Sequence, residues 1–314
     1  MSVLVSGSLA YDYIMDFPDS FKHHILPEQI HILNVCFVVD QLRKNFGGCA
    51  GNIAYTMKLL GAEPLMLSTL GKDANEYLEH FKKNNLNIDY IKVIDNKMTS
   101  SAHITTDKDD NQIIAYHNGA GDEAVNLAIG EIKSDIELAI IAPTKKEAMI
   151  KHAKECFEKK IPFVFDPSHQ LTAFTAQELM MLIGQAKFYI ANDYEMKLTQ
   201  EKIGWDMNEL LKHTEIIITT LGERGSVITT REKTIEVGVC PAVSVEDPTG
   251  AGDAYRAGFF TAYTKGYDLK TCAQVGAVCS TYTVEKYGTQ THNFTLEEFG
   301  ERYQEAFGEE INLS

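Results

Sequence analysis

The apolar positions of the chain fall into short unbroken runs, and each run ends on small or polar residues. Val3-Leu4-Val5 leads into Ser6-Gly7-Ser8, Leu138 to Ile141 into Ala142-Pro143-Thr144, and Ile161 to Phe165 into Asp166-Pro167-Ser168. Phe188 to Ala191 leads into Asn192-Asp193, and Ile216 to Ile218 into Thr219-Thr220-Leu221-Gly222. Runs of this length without polar alternation predict strands buried on both faces, as in a parallel sheet. Between them lie segments with helical spacing. Asn52 to Leu60 carries Ile53, Ala54, Met57 and Leu60 on one side, and Lys145 to Lys159 and Ala176 to Gln185 follow. Strands alternating with helices predict a doubly wound α/β sheet. In such a sheet ligands bind beyond the carboxyl ends of the strands, where the polar residues just named stand.

Two stretches break this rhythm. Residues 13–46 hold the strand-like pieces Tyr13 to Met15 and Ile32 to Val39. Residues 99–118 read as a hairpin, Ala102 to Thr106 and Gln112 to His117 around the polar turn Lys108-Asp109-Asp110-Asn111. Both are assigned to a small β-sheet standing off the main domain, which leaves 1–12, 47–98 and 119–314 for the large one.

Composition narrows the partners. The chain has 314 residues, 44% hydrophobic and 23% charged, which suits one large domain with a smaller appendage. Its formal net charge is −15, with no basic run longer than a pair of lysines. That disfavours nucleic acid, whose binders neutralise phosphates with a basic face, and anionic membranes. Six scattered cysteines without a C-x-x-C pair read as reduced thiols in a cytoplasmic protein. The N-terminal segment lacks a basic region and reads as a strand rather than a signal peptide. No stretch is apolar enough to span a membrane.

The strongest chemical motif is Asp247-Pro248-Thr249-Gly250-Ala251-Gly252-Asp253, followed by a helical run, Ala254 to Tyr263. Small residues let a backbone approach a ligand, so the amides of Gly250, Ala251 and Gly252 are candidates for an anion hole at a helix start. Asp253 stands beside them, where a carboxylate can take a proton from a hydroxyl attacking phosphorus. The plain alternative is a glycine turn with Asp253 as a helix cap. A second motif, Gly47-Gly48-Cys49-Ala50-Gly51-Asn52, also opens a helix and can hydrogen-bond sugar-like hydroxyls. A third, Ser6 to Asp12, places Ser8 and Asp12 after the first strand. Asp12 can accept from two adjacent hydroxyls, or be a solvated loop carboxylate. Asn192-Asp193-Tyr194-Glu195 can orient water around Mg²⁺ or contact phosphate, or simply cap a helix. Thr220-Leu221-Gly222-Glu223-Arg224-Gly225 reads as a turn between strands that can line a nucleotide. No G-x-x-x-x-G-K-[ST] occurs, G-x-G-x-x-G is broken at Tyr255, and there is no G-x-S-x-G.

In this order the motifs resemble the ribokinase-like (PfkB) family of carbohydrate and nucleoside kinases. Gly47-Gly48 with Asn52 is similar to its N-terminal signature, and Asp247 to Asp253 to its C-terminal one. The resemblance implies a three-layer αβα Rossmann-like domain with a β-sheet lid. It also implies ATP and Mg²⁺, with K⁺ as a further candidate ion. Within the family the chain looks closest to the actinobacterial-type adenosine kinases, through Gly7 to Asp12, Phe17-Pro18, Leu26-Pro27-Glu28, Asp166 to Gln170 and Asn192 to Glu195. That resemblance implies a ribose held by Ser8, Asp12, Gly48 and Asn52, and Asp253 as base. It gives Asn192, Glu195, Thr220, Gly222 and Gly225 to ATP and magnesium, with Glu195 acting through water. Two lid phenylalanines that hold the purine in those enzymes are replaced by His103 and Tyr116, and a glutamine pair by His169-Gln170.

The activity expected is phosphorylation of a nucleoside 5′-hydroxyl, adenosine to AMP first, with inosine, guanosine, cytidine or free ribose as alternative acceptors. A homodimer is expected through the lid, with Phe37, Val38, Val39, Ile113 and Ile114 as candidates for its face. A nucleoside-binding sensor is the non-enzymatic alternative, disfavoured because a sensor has no need of a base. A nicotinamide dehydrogenase is disfavoured by the missing dinucleotide fingerprint.

Overall fold

The computed structural model describes residues 2–109 and 111–313, so Asp110 of the expected turn lies outside the described residues. The strands are β1 Ser2–Ser6, β2 Ala10–Asp16, β3 Gln41–Gly47, β4 Leu65–Gly71, β5 Ile91–Ile94, β6 Ser100–Thr106 and β7 Gln112–His117. They continue as β8 Ile136–Ile141, β9 Phe163–Phe165, β10 Phe188–Asn192, β11 Ile216–Thr220, β12 Ser226–Thr229 and β13 Thr234–Val237. The helices are α1 Cys49–Leu59, α2 Asn75–Lys83, α3 Lys146–Glu158, α4 Ala176–Gln185 and α5 Asp193–Ile203. After these come α6 Met207–His213, α7 Ala251–Thr264, α8 Leu269–Val284 and α9 Leu296–Phe307.

The large sheet runs β13-β12-β11-β10-β9-β8-β1-β4-β5. Pairing is parallel from β11 through to β5 and antiparallel only where β12 and β13 are added. Its central strands β1, β8, β9, β10 and β11 are mostly apolar because both faces are covered. Val3, Val5, Ile216 and Ile218 pack into the core that α1, α2, α7, α8 and α9 close, while Leu4 and Ile217 turn to the core under α3 to α6. Alternate side chains of one strand thus feed two cores, which makes three layers. The expected ribokinase-like αβα architecture is the one observed. Strand order reverses between β1 and β8. The two strands part there into opposite winding directions, and a crevice opens at their carboxyl ends. Ser8, just past β1, donates its amide to Pro143 O, just past β8, at 2.9 Å.

A second sheet, β3-β2-β6-β7, stands over that crevice. Its hairpin β6–β7 falls where the sequence predicts one. The other expected strand does not form: residues 33–39 have no regular structure, Pro27–Ile32 forms short 3₁₀ turns, and the third strand is Gln41–Gly47. From this segment Phe37 packs against Phe17 and Phe21, at 4.8 and 5.0 Å between ring centroids, while Ile32, Leu33 and Val38 are exposed. Of the two readings open for Asp12, the structure removes the solvated loop carboxylate. The residue belongs to β2, paired with Asn45 and Ala102, rather than to a loop.

Buried polar side chains tie the layers together. His292, fully buried, brings Nε2 to 3.0 Å from Thr56 Oγ1 of α1, and its carbonyl accepts from the Tyr55 hydroxyl at 2.8 Å. Burial lowers its pKa to about 4. A histidine kept neutral in the folded state binds fewer protons than the unfolded chain below its ordinary pKa, so stability is lost as pH falls from 6.5 towards 4. The loss due to this group is expected to reach roughly 3 kcal/mol across that window. Urea unfolding of wild type and His292→Gln at pH 4.5 and 7 checks it: the variant should show the shallower pH dependence.

Candidate active site

The catalytic candidates collect at the start of α7. Gly250 caps this helix in the left-handed region, φ +82°, where a side chain would also press on Thr289. Asp247 shapes the turn before it, with Oδ1 accepting from the Thr249 amide at 2.9 Å and Oδ2 from the Gly288 amide at 3.1 Å. Gly252 and Asp253 occupy the first turn, where amides have no partner inside the helix and the dipole favours an anion. Ala251, expected to be a third free donor, instead directs its amide to Pro248 O at 3.3 Å.

Asp253 Oδ2 accepts from Asn52 Nδ2 at 2.8 Å, joining α7 to α1 across 201 residues of sequence. Its pKa is raised to about 6 by desolvation in the cleft, against the pull of Arg256 and the Asn52 donor. Arg256 in turn forms a buried two-pronged ion pair with Asp166, Nη2 to Oδ1 at 2.7 Å, and donates from Nη1 to Gly252 O at 2.9 Å. Arg256 is the residue that sequence reasoning missed. Its signal was a lone cation inside the small and apolar run Ala254 to Tyr263.

The lid sheet supplies the opposite wall. Asp12, on the face it shares with Asn45, Ala102 and Tyr116, has its pKa raised to about 7 by burial and by the nearby Asp247 and Asp253 carboxylates. The glycine pair answers two separate crowdings. A side chain at Gly47 would collide with the Asp12 carboxylate, and one at Gly48, φ +88°, would come within 2.6 Å of Ser8 O. Ser8 Oγ accepts the Cys49 amide at 3.3 Å. Ser8, Tyr116, Thr144, Lys145, His169 and Gln170 line a narrow cavity between the lid and the β1/β8 crevice. Desolvation lowers the pKa of His169 against the pull of Asp166 and Glu195, which favours a neutral imidazole able to donate and accept.

His103 does not join them. In the β6–β7 ladder Ala102 faces Tyr116, whereas His103 faces Ala115. Neighbouring strand residues point to opposite faces, so the two rings expected to form one base platform stand on opposite sides of the sheet. His103 stacks instead on Tyr13, 4.9 Å between centroids and 9° from parallel.

The nucleotide candidates lie at the ends of β10 and β11, where Asn192 and Thr220 are register partners. Asn192 and Glu195 form a capping box: Oδ1 of Asn192 accepts the Glu195 amide at 2.8 Å, and Glu195 Oε2 accepts the Asn192 amide at 2.9 Å. One oxygen of Glu195 is left for a water or an ion. Among the described residues no cluster of three or more acidic, histidine or cysteine side chains forms a metal cage. The donor set therefore fits Mg²⁺ only as an ion carried largely by water and phosphate oxygens, the mode that ion prefers. Gly222 and Gly225 flank the turn after β11, and a side chain at Gly225 would strike the Val237 carbonyl.

Known proteins share this arrangement. Residues 23–295 match the pfkB family of carbohydrate kinases. A nucleoside kinase of Methanocaldococcus jannaschii is 34% identical over 300 residues, 95% of each chain. The structure of a Burkholderia thailandensis nucleoside kinase in complex with inosine superposes with a TM-score of 0.90 at 38% identity, covering 98% of this chain and 99% of that one. The same enzyme in complex with ADP-inosine gives 0.88 at 39%, covering 99% and 98%. The chain belongs to the pfkB family of carbohydrate kinases.

Proposed function

We propose that the protein transfers the γ-phosphoryl group of ATP to the 5′-hydroxyl of a purine nucleoside. The observation that carries this reading is Asp253. It is a carboxylate at the first turn of a helix, oriented by Asn52, with its pKa raised to about 6. A base of that pKa is ionised at neutral pH yet basic enough to accept the hydroxyl proton as attack proceeds. The proton goes to Asp253, the hydroxyl oxygen bonds to phosphorus, and ADP leaves. Charge on the transferring group meets the first-turn amides of α7, which need no reorientation. Mg²⁺, when bound, would neutralise phosphate charge. Glu195, and Asn192 beside it, would orient its water shell. Thr220, Gly222 and Gly225 would line the nucleotide. Asp12 and Asn52 would hold the ribose hydroxyls.

The lid assignment, residues 13–46 and 99–118, is supported by the narrowness of the cavity, into which a nucleoside would fit once the small sheet swings away. Relatives named as nucleoside kinases support the substrate class. Adenosine is the acceptor that the sequence motifs suggest. Lys145 at the cavity wall favours a second, inosine, because an ammonium only donates and a 6-carbonyl accepts where a 6-amino group does not. The six free thiols support a cytoplasmic site of action. A homodimer through the lid is supported by the exposed Val38 and Ile113; Ile114 stands on the other face of the sheet, with Tyr116 and Asp12, and Phe37 packs inward on Phe17 and Phe21, so these two do not share that surface.

Replacing Asp253 by Asn keeps the shape of the side chain but removes the basic oxygen, so kcat should fall by ~10²–10⁴ with the melting temperature held. In the wild type kcat/KM should rise with pH up to about 6 and then level, because the base works only when deprotonated. Near-wild-type turnover in folded Asp253→Asn would remove Asp253 from the chemistry. For the acceptor, kcat/KM for inosine, adenosine, guanosine, cytidine and ribose is the measurement. Ribose or cytidine ahead of both inosine and adenosine by about tenfold, ~1.4 kcal/mol, would sink the purine reading. Light scattering should give a dimer for the wild type and a monomer for Val38→Glu; a monomeric wild type at micromolar concentration rejects the lid interface.

A further inference from the structure

The base is held by Asn52, and Asn52 is held by something else. An amide group can turn end for end, and only one orientation presents Nδ2 to Asp253. Asn52 Oδ1 lies 3.0 Å from Gln290 Nε2 and 2.7 Å from Thr289 Oγ1. Thr289 has a single hydroxyl hydrogen and two acceptors in reach, since Phe46 O is also 2.9 Å away. Gln290 has two amide hydrogens and two acceptors, Asn52 Oδ1 and the Tyr77 oxygen at 2.7 Å. Tyr77 spends its own hydrogen on Gly47 O at 2.6 Å.

Gln290 is itself oriented. Its Oε1 lies 3.1 Å from His80 Nε2, and Asn84 Nδ2 approaches His80 Nδ1 at 3.4 Å, so the tautomer with Nε2–H satisfies both contacts. Burial lowers the His80 pKa, which keeps the ring neutral. Every donor in this chain meets an acceptor only when Asn52 turns its oxygen to Gln290 and its nitrogen to Asp253.

The geometry points to Gln290 as a positioning residue for the reaction: it fixes the Asn52 amide so that the base receives a hydrogen bond. Gln290 touches neither substrate nor the reacting atoms, and its role rests on the reading of Asp253 as the base. The chain also reaches the lid, because Phe46 and Gly47 close β3. The loop that carries Thr289 and Gln290 therefore contacts both Asn52, which holds the base, and the root of the sheet above it.

The test is the pH profile of kcat/KM for the best nucleoside, in wild type, Gln290→Met, Gln290→Glu and Asp253→Asn. A fifth protein, Gln274→Met, is the control. That glutamine is equally buried but remote, accepting from Tyr303 at 2.7 Å. Without its donor Asp253 becomes a stronger base, and the acid limb of Gln290→Met should move up by about one pH unit. Gln290→Glu should move it further, since a carboxylate only accepts and draws the Asn52 nitrogen away from Asp253. KM for ATP should stay put, and Gln274→Met should lose melting temperature without moving the limb. If Gln290→Glu does not fold, Gln290→Met carries the test. An unmoved limb in folded Gln290→Met, with Asp253→Asn inactive, overturns the positioning role alone. An equal shift in Gln274→Met does the same. An active Asp253→Asn overturns the base, and this role with it.

Discussion

Asp253 is a carboxylate largely withdrawn from water, and its hydrogen bond from Asn52 is the contact on which the site depends. Removing a charge from solvent costs several kcal/mol unless donors replace the water. Here the replacement comes from another part of the chain, so α1 and α7 must meet before the carboxylate can be tolerated. Both helices begin on glycine-rich turns: Gly48 and Gly250 take positive φ, and a side chain would strike the Ser8 carbonyl at the first and Thr289 at the second.

Electrostatics around this contact are spare. Three carboxylates, Asp12, Asp247 and Asp253, influence one another across the cleft, and the nearby cation Arg256 is committed to Asp166. Nothing in that arrangement attracts phosphate by side-chain charge. In the proposed reaction attraction falls to the backbone amides at the α7 terminus, which suits a molecule of net charge −15. Arg256 has an indirect task. By gripping Gly252 O it steadies the turn whose amides face the anion, while its charge restrains the rise in the Asp253 pKa.

Much of this was legible in the sequence because the features are local. Unbroken apolar runs gave β1, β8, β10 and β11, and glycine followed by helical spacing gave α1 and α7. The capping box at Asn192 is also a local pattern. What was not legible depends on register and on distant partners. Whether His103 and Tyr116 share a face is decided by pairing across a hairpin, where a shift of one residue reverses every side chain. Asp12 reads as a loop residue until β3 and β6 are laid beside it. Ile32 to Val39 has strand-like composition, yet only its Phe37 is held, in an aromatic cluster, and Ile32, Leu33 and Val38 stay exposed. Asp166 and Arg256 stand 90 residues apart, and Gln290 and Asn52 stand 238 apart. No spacing rule joins such pairs.

The centre of the small sheet is a parallel pair, β2 with β6, whose residues 10–16 and 100–106 enclose the β4–β5 edge of the large domain. A parallel pair cannot be closed by a tight turn, and here the connection includes β3, α1, β4, α2 and β5. During synthesis β2 and β3 can form a hairpin, but β2 stays an open edge until residue 106 has emerged. Closure entropy for so long a connection is repaid only once the intervening elements have packed. The small sheet would thus close after the β4–β5 edge that it encloses, and pulsed hydrogen exchange during refolding should find β6 amides protected after those of β4. Until then β2 is exposed, while folding, along the very edge that later lies at the centre of the small sheet.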